Sequence, residues 1–148
     1  ATGGRAMTVG GHPKGIGRVA FSPDGKRLAS PGGAGEVLVH AVPGGELLRT
    51  FRADRTWVRA VEYGPDGAHL ACGCKGTTTR VIDADTGEPV RVLRGHRSEV
   101  AAVAFVPGGR VAAAGFDGTC RVWDATDPVA VAPHVRGSLA GAYLRPDD

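Results

Sequence analysis

Three cysteines in 148 residues are few and odd in number, so no disulfide framework is expected; a reducing compartment, and with it the cytoplasm, is the expectation. Net charge is also small. A formal +3, spread evenly and with no basic run interleaved with aromatics, argues against a nucleic-acid partner. Long apolar runs are missing: the longest, Val100 to Val106, falls far below the ~18 residues that would span a bilayer. No membrane partner is expected. Residues 1–11 lack the apolar core of a signal peptide, and from a start at Ala rather than Met a processed or excised segment is the expectation. No window carries a helical stripe. There is no Gly-x-Ser-x-Gly element. Gly10-Gly11 and Gly32-Gly33 open no helix, so a phosphate cradle is not supported, and no cofactor is expected.

What the sequence does have is turn chemistry, with 24 glycines and 10 prolines. It is also periodic. Pro23, Pro65 and Pro107 recur at intervals of 42 residues, a period that marks a solenoid or propeller. Around each proline the pattern repeats. Ile16, Val19 and Phe21 correspond to Val58, Val61 and Tyr63, and to Val100, Val103 and Phe105. Strict alternation would space them two and two; a spacing of three then two predicts a bulge in the first strand. Ser22-Pro23-Asp24-Gly25 and Gly64-Pro65-Asp66-Gly67 are turns, because Pro presets φ and Asp-Gly tolerates positive φ. Short apolar runs follow: Leu28 to Ser30, Val37 to His40 and Leu47 to Phe51 in the first unit, with counterparts in the second. The third unit has one residue deleted after its turn, a third strand at Cys120 to Trp123 and a weak fourth at Val129 to Val131. Met7 to Val9 is expected to be the last strand of a preceding unit, and Leu139 to Leu144 the first strand of a following one. The organisation is therefore one all-β segment: repeats at about 11–52, 53–94 and 95–136, with stray strands in 1–10 and 137–148.

Gly95-His96, the Pro-Asp-Gly turns, Asp117-Gly118-Thr119 and the closing Trp123-Asp124 resemble the WD-repeat β-propeller family, in the degenerate form of bacterial members. The resemblance implies antiparallel four-stranded blades, about three complete ones in an incomplete ring, with each first strand innermost. Self-association, or completion by other blades, follows as an expectation. It also implies a hydrogen-bonded structural tetrad of Asp, His, Ser or Thr, and Trp. In repeat three these positions are Asp117, His96, Ala113 and Trp123, so one member is missing. Repeat one keeps His12 and Ser30 but has His40 at the Trp position. Repeat two has Asp54, Cys72 and Ile82 at the His, Ser and Trp positions, so its tetrad is expected to be lost and its blade to rest on apolar packing.

The remaining polar clusters have plain readings. Cys72-x-Cys74 puts two thiols on one face of a strand, but a structural zinc wants four ligands, so small buried residues are the preferred reading and no metal is expected. His96 beside Asp117 could be a catalytic pair; the repeat logic makes it structural. Asp83, Asp85 and Glu88 fall on a solvent-facing turn rather than a calcium site. No catalytic residue survives, and the chain is read as no enzyme.

The resemblance further implies that partner binding is built at the start of each first strand and just before the tetrad Asp. Those positions hold Gly15, Trp57 and Glu99; Gly17, Arg59 and Ala101; and Gly33, Lys75 and Phe116. Trp57, Arg59, Lys75, Glu99 and Phe116 form the candidate binding patch, since Trp and Arg are enriched in interface hot spots. The alternative for Trp57 is packing between blades. The expected function is a non-enzymatic scaffold for a protein or peptide partner. A sensor or targeting region of a larger bacterial regulatory enzyme, and an enzyme sited in the channel, are the alternatives.

Overall fold

The computed structural model describes residues 3–4 and 7–125. Within them are eleven strands and no helix. Blade one comprises β1 (Ala20–Phe21), β2 (Arg27–Pro31), β3 (Glu36–Ala41) and β4 (Leu47–Arg52). Blade two comprises β5 (Val58–Tyr63), β6 (His69–Cys74), β7 (Thr79–Asp83) and β8 (Pro89–Leu93), and blade three β9 (Val100–Val106), β10 (Arg110–Gly115) and β11 (Cys120–Asp124). Each sheet is antiparallel and ordered as the chain runs, so every link is a tight connection between neighbours. The expected strands at Val129 to Val131 and Leu139 to Leu144 lie outside the described residues.

Alternation along each strand decides what each blade face meets. Val58, Val61, Tyr63, Leu70, Cys72, Cys74 and Ile82 of blade two bury against Ala29, Val37, Val39 and Phe51 of blade one. The opposite face of blade two, with Ala60, Ala71, Val81 and Leu93, meets Val100, Val103, Val111, Ala113 and Trp123 of blade three. The core is thus two apolar layers, each between adjacent blades. Glycine permits the closest approaches. A Cβ on Gly17 would lie 2.2 Å from the Arg59 carbonyl oxygen, where the inner strands of blades one and two exchange backbone hydrogen bonds through Arg18.

The predicted bulge is present. Val58 pairs with Cys74 and Ala60 with Gly73, leaving Arg59 as the extra residue; Val100 and Ala102 likewise bracket Ala101. One expectation needs correction in blade one. Its inner strand is only Ala20–Phe21, with Ile16 and Arg18 making single bridges. Ile16, Val19 and Phe21 are 49%, 44% and 59% exposed, while their counterparts Val58, Val61 and Tyr63 are buried. The reason is positional: this triplet faces the preceding blade, and in blade one no described blade lies there. Met7 to Val9 likewise joins no strand of the described residues.

Candidate functional site

The rim where the first strands begin is built the same way three times. The backbone N–H of Gly33 donates to the Gly15 carbonyl, that of Lys75 to Trp57, and that of Phe116 to Glu99, at 2.9, 2.8 and 2.9 Å. Each bond ties the start of an inner strand to the turn after the second strand. The patch residues are therefore neighbours on one surface, although up to 59 positions separate Trp57 from Phe116 in sequence. The bulge aims Arg59 out of the ladder, since an extra residue leaves the pleat and turns its side chain. Its guanidinium lies over the Trp57 ring, 4.4 Å from the centroid, and its Nε donates to Glu99 of blade three at 2.9 Å. Lys75 Nζ is 3.9 Å from the other Glu99 oxygen. Trp57, Arg59, Glu99 and Lys75 thus form one contiguous cluster across two blades, and Phe116 stands beside it, 68% exposed.

Trp57 both packs against the preceding blade and reaches the surface. Its ring covers Gly15 of the preceding blade, where an added Cβ would sit 3.5 Å from Cζ2, and it remains half-buried at the surface. Arg59 is committed to an ion pair rather than free. On the segments that lead into the first strands, Lys14, Arg55, Arg94 and Arg97 are exposed. The carboxylates of this rim, Glu36, Asp54, Glu99 and Asp117, are each paired with a described cation or histidine.

Beneath the rim lie the polar cores of the blades. In blade three, His96 Nδ1 is 3.0 Å from Asp117 Oδ2, and Asp117 also accepts from the Arg97 and Thr119 N–H groups and the Thr119 hydroxyl. The His96 and Trp123 rings meet edge to face at 5.7 Å. Trp123 Nε1 donates to the Arg94 carbonyl at 3.2 Å. With Ala113 in the hydroxyl position, His96 Nε2 is buried without a partner. Blade one shows what that hydroxyl does: His12 Nε2 is 2.8 Å from Ser30 Oγ, and His12 Nδ1 is 2.6 Å from Glu36. Glu36 occupies the position of Thr119, while Ala34 stands where Asp117 would be. The carboxylate has moved two residues along and still reaches the histidine. Blade two replaces the set with an ion pair, Arg80 Nε to Asp54 Oδ2 at 2.7 Å, with Thr56 capping Asp54. Its blade therefore has a polar clamp as well as the apolar packing expected from sequence. Sequence reasoning missed Glu36 and Arg80. The signal for Glu36 was an acid two places after a missing one; Arg80 gave little, because Arg121 holds the same register without such a partner.

The backbone N–H of Arg97, followed by the Thr119 and His96 contacts, holds the Asp117 carboxyl well below its ordinary range. A depressed folded value means stability that is present above the unfolded value and lost as pH falls through the folded one. We expect blade three to weaken as pH drops below about 4, the unperturbed carboxylate range. Asp117→Asn should flatten that acid limb in melts taken from pH 7 downward, and an unchanged acid profile would count against this carboxylate as its source. Cys72 and Cys74 are fully buried, and burial pushes the Cys74 thiol up to about 12 and the Cys72 thiol up as well. Both are core residues. Among the described residues no three His, Cys, Asp or Glu side chains are grouped to hold a metal ion, and no helix is long and apolar enough to cross a membrane.

A family model described as "WD domain, G-beta repeat" matches residues 3–37, 45–83 and 87–124. The last two matched segments each begin ahead of the outer strand of one sheet and end on the third strand of the next. No curated protein sequence matches the chain. Among solved structures, the crystal structure of the computationally designed Ika4 protein is similar, with 28% identity and a TM-score of 0.74 over 97% of this chain and 79% of that one. The crystal structure of RRP9 WD40 repeats and the structure of U3-55K each align with 20% identity and a TM-score of 0.74, over 91% of this chain. This chain spans 39% of the length of each of those two, and the likeness to them is one of fold.

Proposed function

Because the chain belongs to the WD domain, G-beta repeat family, whose members are in general non-enzymatic interaction scaffolds, we propose that its rim binds a protein or peptide partner through Trp57, Arg59, Lys75, Glu99 and Phe116. The observation that carries this reading is the continuous cluster of Trp57, Arg59, Glu99 and Lys75 beside the exposed Phe116. Apolar rings supply contact area at low entropic cost, and the exposed Lys14, Arg55, Arg94 and Arg97 favour an acidic partner segment by steering and rim pairing. The exposed Ile16, Val19 and Phe21 support completion of the arc by a further blade or another copy, which would leave the rim free.

Trp57→Ala combined with Arg59→Ala is expected to weaken partner binding by more than about 1.4 kcal/mol, a factor of ten. The melting temperature should change little, since Trp57 and the half-buried Arg59–Glu99 pair lie at the rim, outside both apolar layers. Titration calorimetry with the captured partner, alongside a thermal melt, checks both. A large drop in melting temperature would place Trp57 in the structural core instead.

A further inference from the structure

The face opposite the rim carries the turns between first and second strands and between third and fourth. There a cleft of about 560 Å³ opens between blades two and three, its walls including Glu62, Pro65, Asp66, Phe105, Pro107 and Gly108. Glu62 stands opposite Ala71 in the ladder, and Ala71 belongs to the apolar layer shared with blade three. Its carboxylate is thereby on the face that looks across the cleft, half-buried, with no hydrogen bond or ion pair to another described residue. Phe105 packs beside the same layer from the other wall.

The equivalent position between blades one and two is closed by chemistry absent here. Ala20 replaces Glu62, and the Arg27 guanidinium donates to Asp85 across the blades at 2.7 Å. The space that remains is smaller, about 310 Å³. In blade two the residue at the Arg27 position is His69, and it turns back onto Asp66 of its own turn at 2.7 Å. Blade three has also lost a residue after its turn, where Pro107-Gly108-Gly109 carries no acid. Among the described residues, the second cleft thus gains the Glu62 carboxylate and has no guanidinium hydrogen-bonded across it as Arg27 is across the first. The one nearby guanidinium of its turn, Arg110, is held by the Pro107 carbonyl at 3.0 Å. Asp66 also lines the cleft, on the same wall as Glu62.

We propose that this cleft takes an arginine side chain of an extended peptide, the guanidinium pairing with Glu62 and lying on the Phe105 ring. The partner thereby supplies in trans the cation that Arg27 supplies to the first cleft. A planar fork suits both a carboxylate and an aromatic face, which an ammonium matches less well. Prolines and glycines along the walls leave room for an extended backbone.

The test is a titration of the ¹⁵N-labelled chain with a capped Gly-Gly-Arg-Gly-Gly pentapeptide, with the glutamine counterpart in parallel. Amide shifts should centre on Glu62, Phe105, Val106 and Gly108, and the glutamine peptide should bind at least tenfold more weakly. Glu62→Gln should lose the response by a similar factor while its spectrum stays dispersed as in wild type, and Phe105→Leu should weaken it with the apolar wall kept. Trp57→Ala with Arg59→Ala should leave it unchanged, which separates this site from the rim. Equal binding of the glutamine peptide, an unaltered response in Glu62→Gln, or shifts spread over Asp24, Asp83 and Asp85 would each overturn the proposal.

Discussion

Trp123→Ala is expected to cost roughly 3–5 kcal/mol of unfolding free energy, the range for a buried aromatic truncated to Ala. The indole is 1% exposed and belongs to the layer that joins blades two and three. It makes three kinds of contact at once: apolar burial beside Val111, the edge-to-face meeting with His96, and the hydrogen bond to the Arg94 carbonyl. Removing it leaves a cavity, an unpaired carbonyl and a loosened His96. Ile82 occupies the same position in blade two, buried against blade one, but makes only the first kind of contact. Ile82→Ala should therefore cost less, on the order of 2–4 kcal/mol. Urea melts of the two variants check the order. If Trp123→Ala unfolds with wild type, the third blade does not share the core.

Gly35→Ala is the second large effect. Gly35 has φ of 89°, a conformation that costs an L side chain about 1–2 kcal/mol by itself. A Cβ there would also sit 2.2 Å from the Asp54 carbonyl oxygen and 2.8 Å from that of Thr56. Both are backbone atoms, on the segment that Gly35 anchors by accepting from the Ala53 N–H at 2.9 Å. The connection from blade one to blade two must shift to admit the methyl, so we expect a loss of roughly 2–4 kcal/mol. Gly118 is the internal control: it has φ of 81° in the same turn of blade three, with nothing near its Cβ position. Gly118→Ala should pay only the conformational cost. Equal losses in the two variants would mean that the Asp54 segment yields without penalty. Thr77 at the same place in blade two, with φ of 74°, shows that a side chain is tolerated where space allows.

The sequence alone determined what depends on neighbours along the chain. Pro-Asp-Gly at a fixed period places the turns, because proline fixes φ and glycine admits positive φ whatever surrounds them. The three-then-two spacing determined the bulge, because one extra residue is the only way to keep Val58, Val61 and Tyr63 on one face. Those two features, repeated, sufficed for four-stranded blades, and the bulge residue of blade two is Arg59, the centre of the candidate rim. Tertiary structure decided what depends on which strand lies across the gap. Glu36 reaches His12 although it stands two residues from the expected place, because a longer side chain spans the difference. Asp54 finds Arg80 on a strand that begins 25 residues later, and Glu99 binds Arg59 of the neighbouring blade. Such pairings are set by side-chain reach and register between strands, and a repeat pattern records the positions without recording the partners. Exposure was decided in the same way: Ile16, Val19 and Phe21 have the same pattern as the buried triplet of blade two, and only the blade stacked against each triplet makes one of them core and the other surface.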